Sequence, residues 1–327
     1  MGWASTPGLF RLFLAVLVLL SHATRLQLGK AAVLVFFVLS GYWITLMWLE
    51  RYSKTRKPYF TYMVSRAWRL LPTFWLISLA TWIWLYTTDQ IPSGSELWEI
   101  IPNITLLGYN LVGFQAIGAA WSLDVEMQFY IIAPLIIAAA VAGAARYCWA
   151  VIAACILLSL LVWRDSQDIL QCIGFFAIGM ASAITKWRPS KSLAWGTVGV
   201  FLALLVGLIA SPWRGIILGG RDPGELYLQY NMLAEVVFAM VVVPWSIYTT
   251  KQESNRFDHM LGDFSYIFYL IHMQILIVSG QANGSNIERV VKLIAATTVI
   301  LALCWIIWRY FDKPINKMRA KWVHSRS

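Results

Sequence analysis

The sequence predicts an all-α fold: a polytopic transmembrane helical bundle of about ten spans with both termini cytoplasmic. The chain of 327 residues is 59% hydrophobic and only 13% charged, whereas soluble domains are about a quarter charged. Apolar stretches of about 18 to 22 residues, long enough to cross a bilayer, recur along its whole length. No internal repeat or linker is evident, so we expect one integral-membrane domain over 1–327 without a separate soluble domain.

Alternating apolar and polar stretches set the order of the predicted elements. The predicted spans are 9–24, 31–49, 63–86, 122–143, 147–163, 168–186, 193–211, 230–249, 263–281 and 291–310. Segment 97–120 is also apolar, but Pro102, Asn103 and Gly113 interrupt it. Polar backbone at membrane depth has to be buried in protein. We therefore expect this segment to be re-entrant or surface-lying.

The Lys and Arg residues predict the orientation. With ten spans and a cytoplasmic N-terminus, 19 of the 26 Lys and Arg residues fall on the cytoplasmic side, as the positive-inside rule expects. Membrane topology thus explains the net charge of +10, and we predict membrane lipids and no nucleic acid as partners. The four cysteines lie in apolar spans without metal-ligand spacing, so no metal site is predicted.

The first span carries a cation near its start and an imidazole at its end. Arg11 and His22 are eleven residues apart, about three helical turns, so they share one face. Such a stripe is costly in lipid unless it faces a protein-lined cavity. The stretch also fits a short signal peptide whose cleavage site would be Ser21-His22-Ala23. Later segments carry residues that we expect to pair with His22, and they favour a span.

Ionisable residues recur inside later spans, where each is a functional candidate. Arg66 and Arg69 lie three apart on one face of the third span. Glu126 lies about a turn into the fourth span, and His272 lies in the middle of the ninth. The alternatives are positive-inside anchoring for the arginines, a favourable helix dipole for Glu126 and a core hydrogen bond for His272.

Six short motifs occur in order along the chain. They are Arg11 and His22 with ten residues between them; Phe36-Phe37-Val38-Leu39-Ser40-Gly41; Arg66-Ala67-Trp68-Arg69; Trp121-Ser122-Leu123-Asp124-Val125-Glu126-Met127-Gln128-Phe129-Tyr130; Ser265-Tyr266-Ile267-Phe268-Tyr269-Leu270-Ile271-His272; and Asp312-Lys313-Pro314. In these motifs the chain resembles the integral-membrane acyltransferase family 3, whose members move acyl groups, often acetyl, onto extracytoplasmic glycans and other acceptors. It departs from the family at Gly8-Leu9-Phe10 and at Leu34, where an Asp is common.

The resemblance implies a membrane O-acyltransferase in a bacterial inner membrane. It would move an acyl group from cytoplasmic acyl-CoA, expected to be acetyl-CoA, to a hydroxyl of a glycan or lipid-linked cell-envelope acceptor. His22 would act as general base or transient acyl carrier, with Glu126 at similar depth supporting it. Arg11, Arg66 and Arg69 would bind the phosphates of CoA, because guanidinium groups suit phosphate.

Five further residues are candidates for contact with the acceptor: Ser40, Trp121, Asp124, Tyr130 and His272. Some have structural alternatives, since Ser40-Gly41 permits close helix packing, Trp121 fits an interfacial anchor and Asp124 fits a helix start. Two other functions stay open: a transporter or exporter whose path these polar residues line, and a structural subunit. A homodimer is also open.

Overall fold

The computed structural model describes residues 6–90, 100–142, 150, 153–155, 157–158, 168–219, 224–280 and 285–326. Its α-helices are α1 (Pro7–Ala23), α2 (Gly29–Glu50), α3 (Pro58–Thr87), α4 (Ile100–Thr105), α5 (Trp121–Ala142), α6 (Ile169–Ile184), α7 (Lys191–Ala210), α8 (Glu225–Thr249), α9 (Arg256–Val278), α10 (Asn286–Ile307) and α11 (Lys313–His324). A π-turn, Trp308–Asp312, joins α10 to α11. The described residues form no strand, so the predicted all-α class is confirmed.

Length and composition make the molecule an integral membrane protein. Within the described residues, 7 helices are long and apolar enough to cross a membrane, and α1 and α6 are shorter apolar helices of 17 and 16 residues. Most of the predicted span 147–163 lies outside the described residues. The count of ten spans and the cytoplasmic position of both termini therefore stay predictions.

Local sequence explains where the helices begin. Pro7 and Pro58 occupy first-turn positions, where the missing N–H has no intrahelical partner to lose. Ser190 and Asn255 accept backbone N–H bonds from the first turns of α7 and α9. Ser285 forms a capping box at the start of α10. Such caps satisfy donors that would otherwise be unpaired.

Helices α2 and α6 cross at very close range because both carry glycine at the crossing. A Cβ added to Gly41 would lie 2.1 Å from the carbonyl oxygen of Phe176, and one added to Gly179 would lie 1.9 Å from that of Val38. Only a residue without a side chain permits this approach. The predicted packing role of Gly41 is confirmed, and it fixes the neighbouring Ser40.

Helix α1 is attached to α9 through its N-terminus. The carboxylate of Asp258 accepts from the backbone N–H of Gly8 at 3.0 Å and of Leu9 at 2.8 Å. A Cβ on Gly8 would lie 1.8 Å from the Asp258 carbonyl oxygen. This carboxylate satisfies donors at a helix start, and it sets the position of Arg11 in the next turn.

The segment after α3 is broken, as predicted. It contains the short helix α4 and the single turns Tyr109–Leu111 and Gly118–Ala120. The Tyr109 hydroxyl donates to the Ile117 carbonyl at 3.2 Å and accepts from the Ile117 N–H at 2.8 Å, and both residues are buried. Burial raises the pKa of the Tyr109 phenol, so it keeps the proton that it donates. The segment is therefore packed into the protein, which its polar backbone requires.

Candidate functional site

A cavity of about 260 Å³ lies between α1, α2, α3, α5 and α9. Six residues singled out from the sequence line it: Arg11, Ser40, Arg66, Arg69, Glu126 and Tyr130. Ser122, Tyr266 and Tyr269 also line it. Five helices therefore bring cations, a carboxylate and hydroxyl groups to one partly open cavity, and a concave site of this kind is the usual form of a small-molecule site.

Arg69 is held by two carboxylates. Its NH1 atom donates to both carboxylate oxygens of Asp312, at 3.1 and 3.2 Å, and its NH2 atom donates to Asp263 at 3.1 Å. Asp312 is 1% exposed and accepts further bonds from Thr73 and Asn316. The charge of Arg69 is thus neutralised by α9 and the π-turn. The guanidinium thus already has two anions, and the phosphate-binding role predicted for Arg69 stays a prediction.

Among the described residues, Arg66 and Arg11 have no such neutralisation. Arg66 is buried and donates from NH2 to the Tyr52 hydroxyl at 2.9 Å, and its Nε has no partner within the described part of the chain. Arg11 makes neither a hydrogen bond nor an ion pair with any residue that the structure describes; Asp263 and Glu126 act on it only at longer range. A buried cation without a bonded carboxylate, at the lining of a cavity, favours the binding of an anionic ligand.

Glu126 faces the cavity and binds two hydroxyl groups. The Ser40 hydroxyl donates to its Oε1 at 2.7 Å, and the Tyr130 hydroxyl donates to the same oxygen at 2.6 Å. We expected Glu126 to pair with His22 at similar depth. Among the described residues its bonds go to Ser40 and Tyr130 instead, because α5 begins within the bundle and places Glu126 beside the middle of α2.

His22 is exposed at the end of α1, so of the predicted stripe only Arg11 lines the cavity. The His22 ring lies against His272, with the ring centroids 5.3 Å apart. His272 is fully buried, and its Nδ1 lies 2.7 Å from the Tyr269 carbonyl oxygen. A carbonyl oxygen only accepts, so Nδ1 carries the proton and Nε2 presents a lone pair, which has no partner within the described residues. Neither histidine is part of the cavity lining, but Tyr269 lines the cavity and its ring lies 5.8 Å from that of His272.

Trp121 and Asp124 make structural contacts. Asp124 is fully buried and accepts from the backbone N–H of Gly108 at 3.1 Å and of Asn110 at 2.9 Å. The Trp121 ring meets Phe37 edge-on at 6.3 Å. Neither residue is in the cavity lining. Asp124 holds the segment before α5 through these bonds, and the acceptor contact predicted for Trp121 and Asp124 stays a prediction.

Several residues of the site have no role predicted from the sequence: Tyr52, Ser122, Asp263, Tyr266, Tyr269 and Asp312. All but Tyr52 and Asp263 stand within the short motifs, which are the sequence signal that points to them. The Tyr269 hydroxyl binds that of Ser122 at 2.8 Å and donates to the Ala119 carbonyl at 2.7 Å. Within the described part of the chain, no three His, Cys, Asp or Glu side chains are grouped as metal ligands.

Comparisons with known proteins support the motif resemblance over most of the chain. A family model described as "Acyltransferase domain" matches residues 5–309. The O-acetyltransferase OatA of Staphylococcus aureus is 32% identical over 149 residues, which are 40% of this chain and 24% of that protein. The "Putative peptidoglycan O-acetyltransferase YrhL" of Bacillus subtilis is 25% identical over 328 residues, 88% of this chain and 50% of that protein. The chain thus spans half or less of the length of these relatives. No solved structure gives a significant match.

Proposed function

The chain belongs to the acyltransferase family whose model it matches, and from this premise we propose that it is a membrane O-acetyltransferase that uses acetyl-CoA. The observation that carries the proposal is the cavity in which Arg11 and Arg66 have no bonded carboxylate among the described residues, while Glu126 is bound by hydroxyl groups. The relatives OatA and YrhL are named as O-acetyltransferases. An acceptor hydroxyl on a cell-envelope glycan, reached from a bacterial inner membrane, fits these names.

The arginine end of the cavity would receive the donor. Guanidinium groups bind phosphate through parallel charge-assisted hydrogen bonds. Arg11 and Arg66 are the cavity cations with donors to spare, so they would bind the diphosphate of CoA. The cavity of about 260 Å³ is smaller than sites that enclose a whole drug-sized ligand, about 300–1,000 Å³. It would therefore hold the thioester end of the donor, with the nucleotide at its opening.

The histidine pair would supply the base. His22 accepts the proton of the acceptor hydroxyl, the hydroxyl oxygen attacks the thioester carbonyl, and the thiolate of CoA leaves and takes up the proton. His272, with Nδ1 bonded to Tyr269, holds beside this ring an Nε2 that has no partner among the residues the structure describes. This nitrogen would accept a hydrogen bond from the same acceptor hydroxyl. Tyr269 connects this pair to the cavity. Glu126, bound to Ser40 and Tyr130, would order the cavity wall rather than orient His22.

The purified protein with labelled acetyl-CoA tests the reaction. Addition of an envelope glycan should release CoA and label the glycan. His22→Ala should lower the rate by about 10²- to 10⁴-fold, the usual contribution of a general base, while the affinity for CoA stays unchanged. His259→Ala, at an exposed histidine near the start of α9, is the matched control.

Three results separate the alternatives. Without acceptor, label that stays bound to the wild-type protein and not to His22→Ala supports an acyl-enzyme intermediate. A wild-type protein that holds no label supports direct transfer. A protein that moves glycan across vesicles without releasing CoA is a transporter, and the proposal is then wrong.

A further inference from the structure

Helix α11 lies beyond the residues that the family model matches, which end at 309. It carries several cations, and they differ in environment. Lys317 and Lys321 are exposed, whereas Arg319 is partly buried against α3. A basic helix is ordinarily explained by its solvated or lipid-facing side. The inward position of Arg319 needs another explanation.

Arg319 is connected to the cavity through two hydroxyl groups. Its NH1 atom donates to the Ser65 Oγ at 3.0 Å, and Ser65 Oγ lies 2.8 Å from the Tyr52 hydroxyl. The Tyr52 hydroxyl in turn accepts from Arg66. Arg66 lines the cavity, and Arg319 is not in its lining. Two hydroxyl groups therefore separate Arg319 from Arg66, the arginine that lines the cavity.

Most of the charges near Arg319 are positive: Arg66, Arg69 and Arg51 act on it as cations, and Tyr52 acts in the opposite direction. Its Nε donates to the Asn316 Oδ1 at 3.2 Å, and Asn316 donates in turn to Asp312. No carboxylate is within ion-pair distance of Arg319 or Arg66 among the described residues, and Asp312 is already bound by Arg69. Like charges held close together raise the free energy of the folded state. A ligand phosphate between them would remove that repulsion and accept two hydrogen bonds from a guanidinium.

We propose that Arg319 forms a second phosphate subsite that binds the 3′-phosphate of the nucleotide end of acyl-CoA. The proposal rests on the proposed function, since it assumes that CoA is the donor. Along CoA the diphosphate lies nearer the thiol and the 3′-phosphate lies farther away. The order of the cations is the same: Arg66 lines the cavity, and Arg319 lies beyond it. The phosphate of an anionic lipid headgroup would bind a guanidinium in the same way, so the experiment has to distinguish the two sources.

Equilibrium binding of CoA and of 3′-dephospho-CoA to the full chain, in nanodiscs of phosphatidylcholine, measures the subsite directly. The wild type should bind CoA more tightly than dephospho-CoA. Arg319→Gln should weaken CoA binding by about 10- to 100-fold, the range for a bond to a charged group, and leave dephospho-CoA unchanged, so the preference disappears. Lys321→Gln removes the same charge from the exposed face of α11 and should preserve the preference.

Further outcomes decide the proposal. Equal weakening of both ligands in Arg319→Gln would mean a structural role and overturn it. A second series repeats the binding in nanodiscs that also contain phosphatidylglycerol. If Arg319→Gln keeps the preference for CoA and changes only the dependence of binding on phosphatidylglycerol, Arg319 binds lipid, and the proposal is overturned. If Arg319→Gln does not fold, Ser65→Ala, which removes the hydroxyl that holds Arg319, should reduce the preference. A wild type that binds neither ligand contradicts the proposed function itself, whereas CoA binding without a preference contradicts only this subsite.

Discussion

Three arginines of the cavity lining are in two different states. Arg69 is bound to Asp263 and Asp312, and we call these three residues the ion-pair cluster. Arg11 and Arg66 have no bonded carboxylate within the described residues, and we call them the unpaired cations. Arg66 and Arg69 lie about one turn apart on α3. The comparison shows that two arginines of one motif can have different roles. Arg69 holds helices together through its ion pairs, whereas Arg66 is available to a ligand.

The largest expected effect is on the ion-pair cluster. Arg69→Met leaves Asp263 and Asp312 without their cation, and breaking a buried pair by removing one partner costs about 3–5 kcal/mol. Thermal unfolding in detergent should show a much lower Tm. The double variant Arg69→Met with Asp312→Asn should lose less than the sum of the two single losses, because the charges are removed together. If Arg69→Met keeps its Tm and loses only CoA affinity, Arg69 binds the ligand, and the distinction between the ion-pair cluster and the unpaired cations is wrong.

The unpaired cations should show the opposite response. Arg11→Gln should weaken CoA binding by about 10- to 100-fold, since a hydrogen bond to a charged group contributes about 1.5–3 kcal/mol. Its Tm should not fall, because no ion pair is lost. Isothermal titration with CoA and a thermal unfolding curve measure both quantities, and Arg256→Gln, at an exposed arginine, is the control. A lower Tm with unchanged CoA affinity would make Arg11 structural as well.

The smallest effect concerns Glu126 and the two hydroxyl groups that bind it. Tyr130→Phe removes one of two hydroxyl donors to Glu126 and leaves the Ser40 bond, so kcat/KM for acetyl-CoA should fall by no more than about tenfold, or 1.4 kcal/mol. Tyr130→Phe with Ser40→Ala removes both donors and should cost more than Tyr130→Phe alone. Tyr59→Phe, whose hydroxyl binds the Ile131 carbonyl outside the cavity, is the control. An unchanged rate in the double variant would exclude Glu126 from the proposed reaction.

Residue patterns that are local in the chain determined a large part of this protein. Composition and apolar run length fixed the all-α membrane class, because crossing lipid requires helices whose backbone is bonded internally. The Pro and Asn residues within 97–120 predicted that this segment does not form one continuous helix. Gly41 predicted a close helix crossing, since only the absence of a side chain allows one.

The tertiary structure alone decided which charges meet. Asp263 and Asp312 lie far along the chain from Arg69, and no spacing within one helix reveals that they neutralise Arg69 and not Arg66. Likewise, the depth of Glu126 followed from where α5 starts inside the bundle, so that Ser40, and not His22, became its partner. Sequence spacing sets which side chains share a helix face, but the free energy of a buried charge depends on partners that only the packing of separate helices brings within bonding distance.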